Sequence, residues 1–179
     1  MLASSIDRET LSHLGRLLEY PSPDFDTQLR DAQEALTEIS APAAAELQLF
    51  HDVISEWGAE KLEEAYTRAF DVAPQCIPYL SVFLFGQESF KRAELMAGLK
   101  ERYAATGCDC GNELPDHIAV VLRFATLFTD EEWSELRHWC IPGPLSEMIR
   151  GLTKASNPYV HILRAAELAM SAHAVPGGA

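Results

Sequence analysis

Apolar residues recur along this chain at alternating intervals of three and four, the period of a helix that buries one side. Leu11, Leu14, Leu17 and Leu18 form the first stripe, behind a start at Ser4-Ser5 with Asp7 and Glu9 in the opening turns. Tyr20-Pro21-Ser22-Pro23 ends it, because proline cannot continue a helix and restricts the residue before it. Phe25, Leu29, Ala32, Leu36 and Ile39 predict a second helix. Pro42 opens a third carrying Leu47, Phe50, Ile54 and Trp57, and Gly58 marks a break. Leu62, Tyr66, Ala69 and Phe70 line a fourth, which Pro74 should end.

From Cys76 to Phe85 the chain is apolar on all sides, so periodicity cannot separate buried helix from buried strand; helical neighbours favour helix. Glu88 to Ala105 predicts a helix with Phe90, Ala93, Met96, Ala97 and Tyr103 on one side, followed by a polar loop, Thr106 to Glu113. Pro115 opens a helix with Ile118, Val121, Leu122, Ala125 and Phe128 inward. Thr129-Asp130-Glu131-Glu132 has capping-box spacing, with Phe128 and Trp133 placed to pack across the helix start. Trp133, Leu136 and Cys140 point inward until Ile141-Pro142-Gly143-Pro144 breaks that helix. Leu145, Met148, Ile149 and Leu152 mark another, and Asn157-Pro158 starts the last. No strand, hairpin signal or solenoid repeat interrupts this pattern. The expectation is all-α: one bundle of roughly nine or ten helices by this periodicity, over residues 1–174, with 175–179 as a frayed tail.

Charge narrows the partners. Acidic residues outnumber basic ones by 27 to 14, a formal net charge of −13. Clustered lysine and arginine for nucleic-acid phosphates are absent, and an anionic membrane surface is disfavoured; a basic peptide suits such a surface. Asp7, Arg8 and Glu9 stand where a signal peptide needs an apolar core, and Cys76–Phe85 is too short to cross a bilayer. The chain therefore reads as cytoplasmic, with no membrane insertion. Cys76, Cys108, Cys110 and Cys140 contain no C-x-x-C pair and read as reduced thiols.

Catalytic signatures are missing: no H-E-x-x-H, no phosphate-binding glycine loop and no G-x-S-x-G. A di-iron bundle needs two Glu-x-x-His pairs and two further glutamates, and this chain has the single pair Glu135 and His138. Neither an enzyme nor a bound cofactor or metal is expected. Two segments stand out instead. Tyr66 and Phe70 lie one turn apart on a helix face, which ordinary core packing also explains. Glu113-Leu114-Pro115-Asp116-His117 precedes an apolar helix; acids there complement the helix dipole, but a protonated histidine does not. Asp116 could offset that cost, leaving an exposed Asp-His pair that either binds a partner or is simply solvated.

Taken together, these segments resemble the NarJ/TorD family of chaperones for molybdopterin oxidoreductases. Leu17-Leu18-Glu19-Tyr20-Pro21 looks like the family's L-x-Y-P turn, and Glu64–Asp71 (EAYTRAFD) like its Tyr-x-x-x-Phe-Asp helix. Cys76 to Gly86 resembles the apolar helix and glycine that follow, and Glu113–His117 reproduces the E-L-P-D-H element of the nitrate reductase delta-type branch. One and a half turns later, family members often carry an acid where this chain has Arg123. The resemblance implies an all-helical, non-enzymatic, monomeric or weakly dimerising protein. Its partner would be the molybdenum-containing catalytic subunit of an oxidoreductase, bound through an N-terminal or twin-arginine leader segment until the molybdenum cofactor is inserted, before export or membrane docking. By position, Tyr66, Phe70, Glu113, Pro115, Asp116 and His117 would line the peptide groove, apolar leader residues meeting the rings and leader arginines meeting Glu113 and Asp116. On this reading the Tyr66/Phe70 face and the Asp116-His117 corner must converge, and alanine at Asp116 and His117 should leave the melting temperature nearly unchanged. The competing readings are a permanent helical subunit of a respiratory complex and a metal-binding bundle using Glu135 and His138.

Overall fold

In the computed structural model, which describes residues 2–172, the apolar stripes become ten α-helices and no strand. They are α1 (Leu2–Leu17), α2 (Phe25–Ile39), α3 (Ala41–Ile54), α4 (Ala59–Tyr66), α5 (Leu80–Phe85), α6 (Phe90–Ala105), α7 (Ile118–Arg123), α8 (Asp130–Glu135), α9 (Pro142–Lys154) and α10 (Val160–Ala172). Helix α1 begins at Leu2, ahead of Ser4-Ser5. The expected tail at 175–179 lies outside the described residues. No described helix is long and apolar enough to cross a membrane.

Helix α2 follows its sequence signal, and α3 does so up to Ile54, so that Trp57, expected on it, lies beyond its end. Ser40 closes α2 with extended backbone and starts α3, its hydroxyl accepting from Ala43 N at 3.4 Å. Helix α1 runs through the centre, packing on α2, α7 and α10, while α10 also meets α3 and α9. Gly15 lets α1 cross α7 backbone to backbone: a Cβ there would fall 2.3 Å from the Arg123 amide nitrogen and 2.8 Å from the Ala119 carbonyl. Gly151 does the same for α9, which approaches the carbonyl of Gln75.

Elsewhere tertiary packing overrides periodicity. The helix expected through Phe70 is α4 followed by one π turn, Thr67–Asp71, and a second π turn, Leu136–Cys140, follows α8. Only the last six residues of the apolar Cys76–Phe85 run are helical. Before them Tyr79 forms an isolated antiparallel bridge with His117. On α6 the buried residues are Leu99 and Tyr103, with Leu95 packed against the core; Phe90 is 79 % exposed and Ala93 and Ala97 are exposed. Of the stripe expected to be buried, Tyr103 is buried and Met96 half-buried, while Phe90, Ala93 and Ala97 face away from the core, because α6 packs mainly on α5. Helix α7 starts three residues after Pro115 and is buried all round from Ile118 to Leu122. At α8 the Thr129/Glu132 capping box is present, and Phe128 stacks on Trp133 at 6.2 Å and 27°.

Candidate functional site

Side chains from four elements meet beside the α1–α7 crossing. Tyr66, from the end of α4, takes Tyr20 edge-on at 5.4 Å and lies 5.3 Å from Phe70, on the π turn that follows. Phe70 reaches His117 at 6.4 Å, and His117 reaches Tyr79 at 5.4 Å, so the rings form a continuous ladder. Tyr159 and Phe50 support it from the core, with Tyr159 5.7 Å from Tyr66 and 5.5 Å from Phe70. The Tyr66/Phe70 face and the Asp116-His117 corner thus adjoin.

In front of the ladder is a recess of about 260 Å³, whose walls include Glu19, Tyr20, Tyr66, Asn112, Glu113 and His117. Its rim is acidic. Tyr79 donates its hydroxyl to Glu113 Oε1 at 3.0 Å, and burial beside that carboxylate pushes the phenol up to about 12. Burial holds Glu19 above the usual carboxylate range, and its ion pair with Arg123 pulls the other way. Tyr20, 54 % exposed, has its hydroxyl paired with Glu63, which raises it as an acid. The position where a family acid is often found therefore holds a cation that Glu19 engages.

The six residues expected to line a groove divide three ways. Tyr66, Glu113 and His117 border the recess. Phe70 lies behind it and borders a neighbouring hollow with Asp71, Pro74, Ile77, Tyr79 and Val82. Pro115 and Asp116 are interior: Tyr103 donates its hydroxyl to the Pro115 carbonyl at 3.1 Å, and Asp116 is 0 % exposed.

Asp116 therefore cannot meet a ligand arginine, which corrects the expectation of an exposed pair. Its Oδ2 accepts from the amide of Ser81 at 3.0 Å and from the Ser81 hydroxyl, which in turn accepts from Arg92 Nε at 3.0 Å. The carboxylate caps the first turn of α5, where a negative charge is favoured. Leu80 N donates to the Asp116 carbonyl at 3.1 Å and Ile118 N to the Pro78 carbonyl at 2.8 Å, so both backbones are stitched at this point.

His117 is also a structural cap. It is 3 % exposed, and its Nδ1 accepts from Ala119 N at 3.1 Å at the start of α7. An accepting Nδ1 places the proton of the neutral ring on Nε2. Burial lowers the imidazole below its usual value, against the pull of Glu113 and Asp116. The neutral ring removes the conflict with the helix dipole that the sequence posed.

Sequence reasoning missed Glu19, Tyr20 and Asn112 as wall residues, although Glu19-Tyr20-Pro21 had been singled out as a turn. Glu135 and His138, the candidate metal pair, are exposed, and the His138 ring bonds Ser134; among the described residues no three potential ligands gather.

These elements fall within a family match. Residues 13–163 match the model of the nitrate reductase delta subunit family. The chain is 30% identical over 125 residues to the Bacillus subtilis (strain 168) protein described as the nitrate reductase molybdenum cofactor assembly chaperone NarJ, covering 68% of this chain and 67% of that one. It is 30% identical over 155 residues to the nitrate reductase-like protein NarX of Mycobacterium tuberculosis (strain H37Rv), covering 83% of this chain but 22% of that much longer one. Among solved structures, a protein from Archaeoglobus fulgidus described as a redox enzyme maturation protein superposes with a TM-score of 0.59 at 26% identity, over 89% of this chain and 90% of that one. From its matched helices and its E-L-P-D-H corner, the chain belongs to the nitrate reductase delta subunit family, of the NarJ/TorD type.

Proposed function

We propose that this protein is a non-catalytic cytoplasmic assembly chaperone for a molybdenum-dependent catalytic subunit of the nitrate reductase type. It holds that subunit's N-terminal segment until the molybdenum cofactor is inserted and the subunit goes on to export or membrane docking. The observation that carries the reading is the ring ladder behind an acidic-rimmed recess, in a chain whose relative is named as such a chaperone. The recess accommodates a side chain or two, whereas a whole helix is roughly 10 Å across. An incoming segment therefore lies over Tyr20 and Tyr66 and inserts one basic side chain between Glu19 and Glu113. Its apolar residues pack on the hollow beside Phe70, Ile77 and Val82. The contact to cations falls to Glu113 and Glu19, and Asp116 acts only by holding the corner.

Calorimetric titration of a synthetic peptide spanning the N-terminal segment of the host's nitrate-reductase-type catalytic subunit tests this. Glu113→Lys and Tyr20→Ala should each weaken binding while leaving the melting temperature close to wild type. Equal affinity across the three proteins would refute the recess as the docking place. A second reading, a lasting helical component of the oxidoreductase, is favoured by the match to a segment of the longer NarX. Purified mature oxidoreductase separates the two: a chaperone is absent from it, and a subunit is present in stoichiometric amount.

A further inference from the structure

A second groove lies away from that recess, between α6 and the α8 region, and shares no wall residue with it. Leu95, Leu99, Phe128, Leu136 and Cys140 give it an apolar floor, and its volume is about 340 Å³. Gly98 opens one wall, since a Cβ there would meet nothing within 4 Å. Glu94 stands on the α6 wall and Glu135 on the α8 wall, and neither has a cationic partner among the described residues. The third wall carboxylate, Glu132, engages Arg102. Phe90, one turn before Glu94, and Trp139, one turn after Glu135, are each 79 % exposed.

We infer that this groove docks a cationic amphipathic helix of a partner protein, which lies across its mouth, inserts apolar side chains toward Leu95, Leu99 and Leu136 and sets its basic side chains against Glu94 and Glu135. Charge decides the occupant. The cation in the groove's wall, Arg102, is engaged by Glu132, which leaves the carboxylates of Glu94 and Glu135 in excess along the walls. In a chain of net charge −13, a second copy would set acidic wall against acidic wall, and an anionic lipid surface would be repelled as well. Exposed aromatic side chains flanking an apolar floor are the usual anchors of such an interface.

The probe is a synthetic amphipathic helix of leucine and lysine, titrated into the full-length protein by calorimetry beside a leucine–glutamate peptide of the same pattern. Wild type should bind the lysine peptide and not the glutamate one. The double variant Glu94→Lys/Glu135→Lys should weaken it at least about tenfold, equivalent to ~1.4 kcal/mol. Phe90→Ser/Trp139→Ser should weaken it too, without altering charge. A charge-matched control on exposed positions of α2, Glu34→Lys/Glu38→Lys, should leave the affinity near wild type. Equal loss in the α2 control means the acidic surface attracts the peptide without a site, which overturns the proposal. No binding by wild type overturns it, and so does a dimer that Phe90→Ser/Trp139→Ser converts to monomer.

Discussion

Replacing Asp116 by alanine tests the corner behind the recess. The carboxylate is fully buried and accepts two hydrogen bonds from Ser81, through its amide and its hydroxyl. A hydrogen bond to a charged acceptor is worth about 1.5–3 kcal/mol, so two set a gross loss of ~3–6 kcal/mol. Part returns, because the variant no longer buries a charge, one of whose oxygens, Oδ1, has no partner. The Ser81 hydroxyl still accepts from Arg92, but its own proton and the Ser81 amide both lose their acceptor in a buried place. The net expectation is a destabilisation of about 3 kcal/mol, which for a chain of this size lowers Tm by roughly 6–12 °C. Asp116→Asn, which keeps an acceptor and the volume, should fall between wild type and alanine. Denaturant unfolding and calorimetry give these values. Amide exchange should show the lost protection concentrated at Leu80, Ser81 and Ile118, where the two backbones are stitched. A Tm within about 2 °C of wild type, well below the per-kcal shift expected for three kcal/mol, would refute the capping role and return Asp116 to the surface.

Two further outcomes follow from the same geometry. Gly15→Ala places a Cβ against the Arg123 backbone, where rigid helix cannot yield, so the variant should express poorly or lose on the order of 3 kcal/mol or more in denaturant unfolding; wild-type stability would contradict the α1–α7 crossing. His117 is lowered from 6.5 by burial. Above that value both states are neutral, and as pH falls below it the unfolded ring takes a proton that the folded ring refuses. Stability then declines by at most about 1.4 kcal/mol per pH unit until the folded value is reached. His117→Asn keeps a capping oxygen for Ala119 N and should flatten that decline in urea unfolding between about pH 7.5 and pH 5.5; an identical slope in both proteins would place the titration elsewhere.

What could be read in advance depended on whether the deciding contact was local. The α2 stripe, the Ser40–Pro42 corner and the Thr129/Glu132 box are set by residues a turn or two apart, and they stand where the spacing put them. Helix α6 offers Leu95 and Leu99 as well as the expected Phe90, Ala93, Met96, Ala97 and Tyr103, and the neighbour it packs on selects Leu95, Leu99 and Tyr103 and leaves Phe90, Ala93 and Ala97 outside. The π turn at Thr67–Asp71 shifts register without changing which residues are apolar, so periodicity passes over it. At the site, the Tyr66–Phe70 pair was legible as one turn of helix, and its nearness to His117 was required by the resemblance. The burial of Asp116 was not legible, since an aspartate after proline reads as solvated and its partner Ser81 lies 35 residues away. Gly15, which sets Glu19 and Tyr20 beside α7, gives no local signal at all.

The most direct test of the account is amide chemical-shift mapping of the labelled protein as it is titrated with the N-terminal peptide of its catalytic-subunit partner. Binding should perturb Glu19, Tyr20, Tyr66, Asn112, Glu113 and His117 together, with Ile77 and Val82 following. Perturbations confined to the α6–α8 groove, or an unchanged spectrum at saturating peptide, would contradict it.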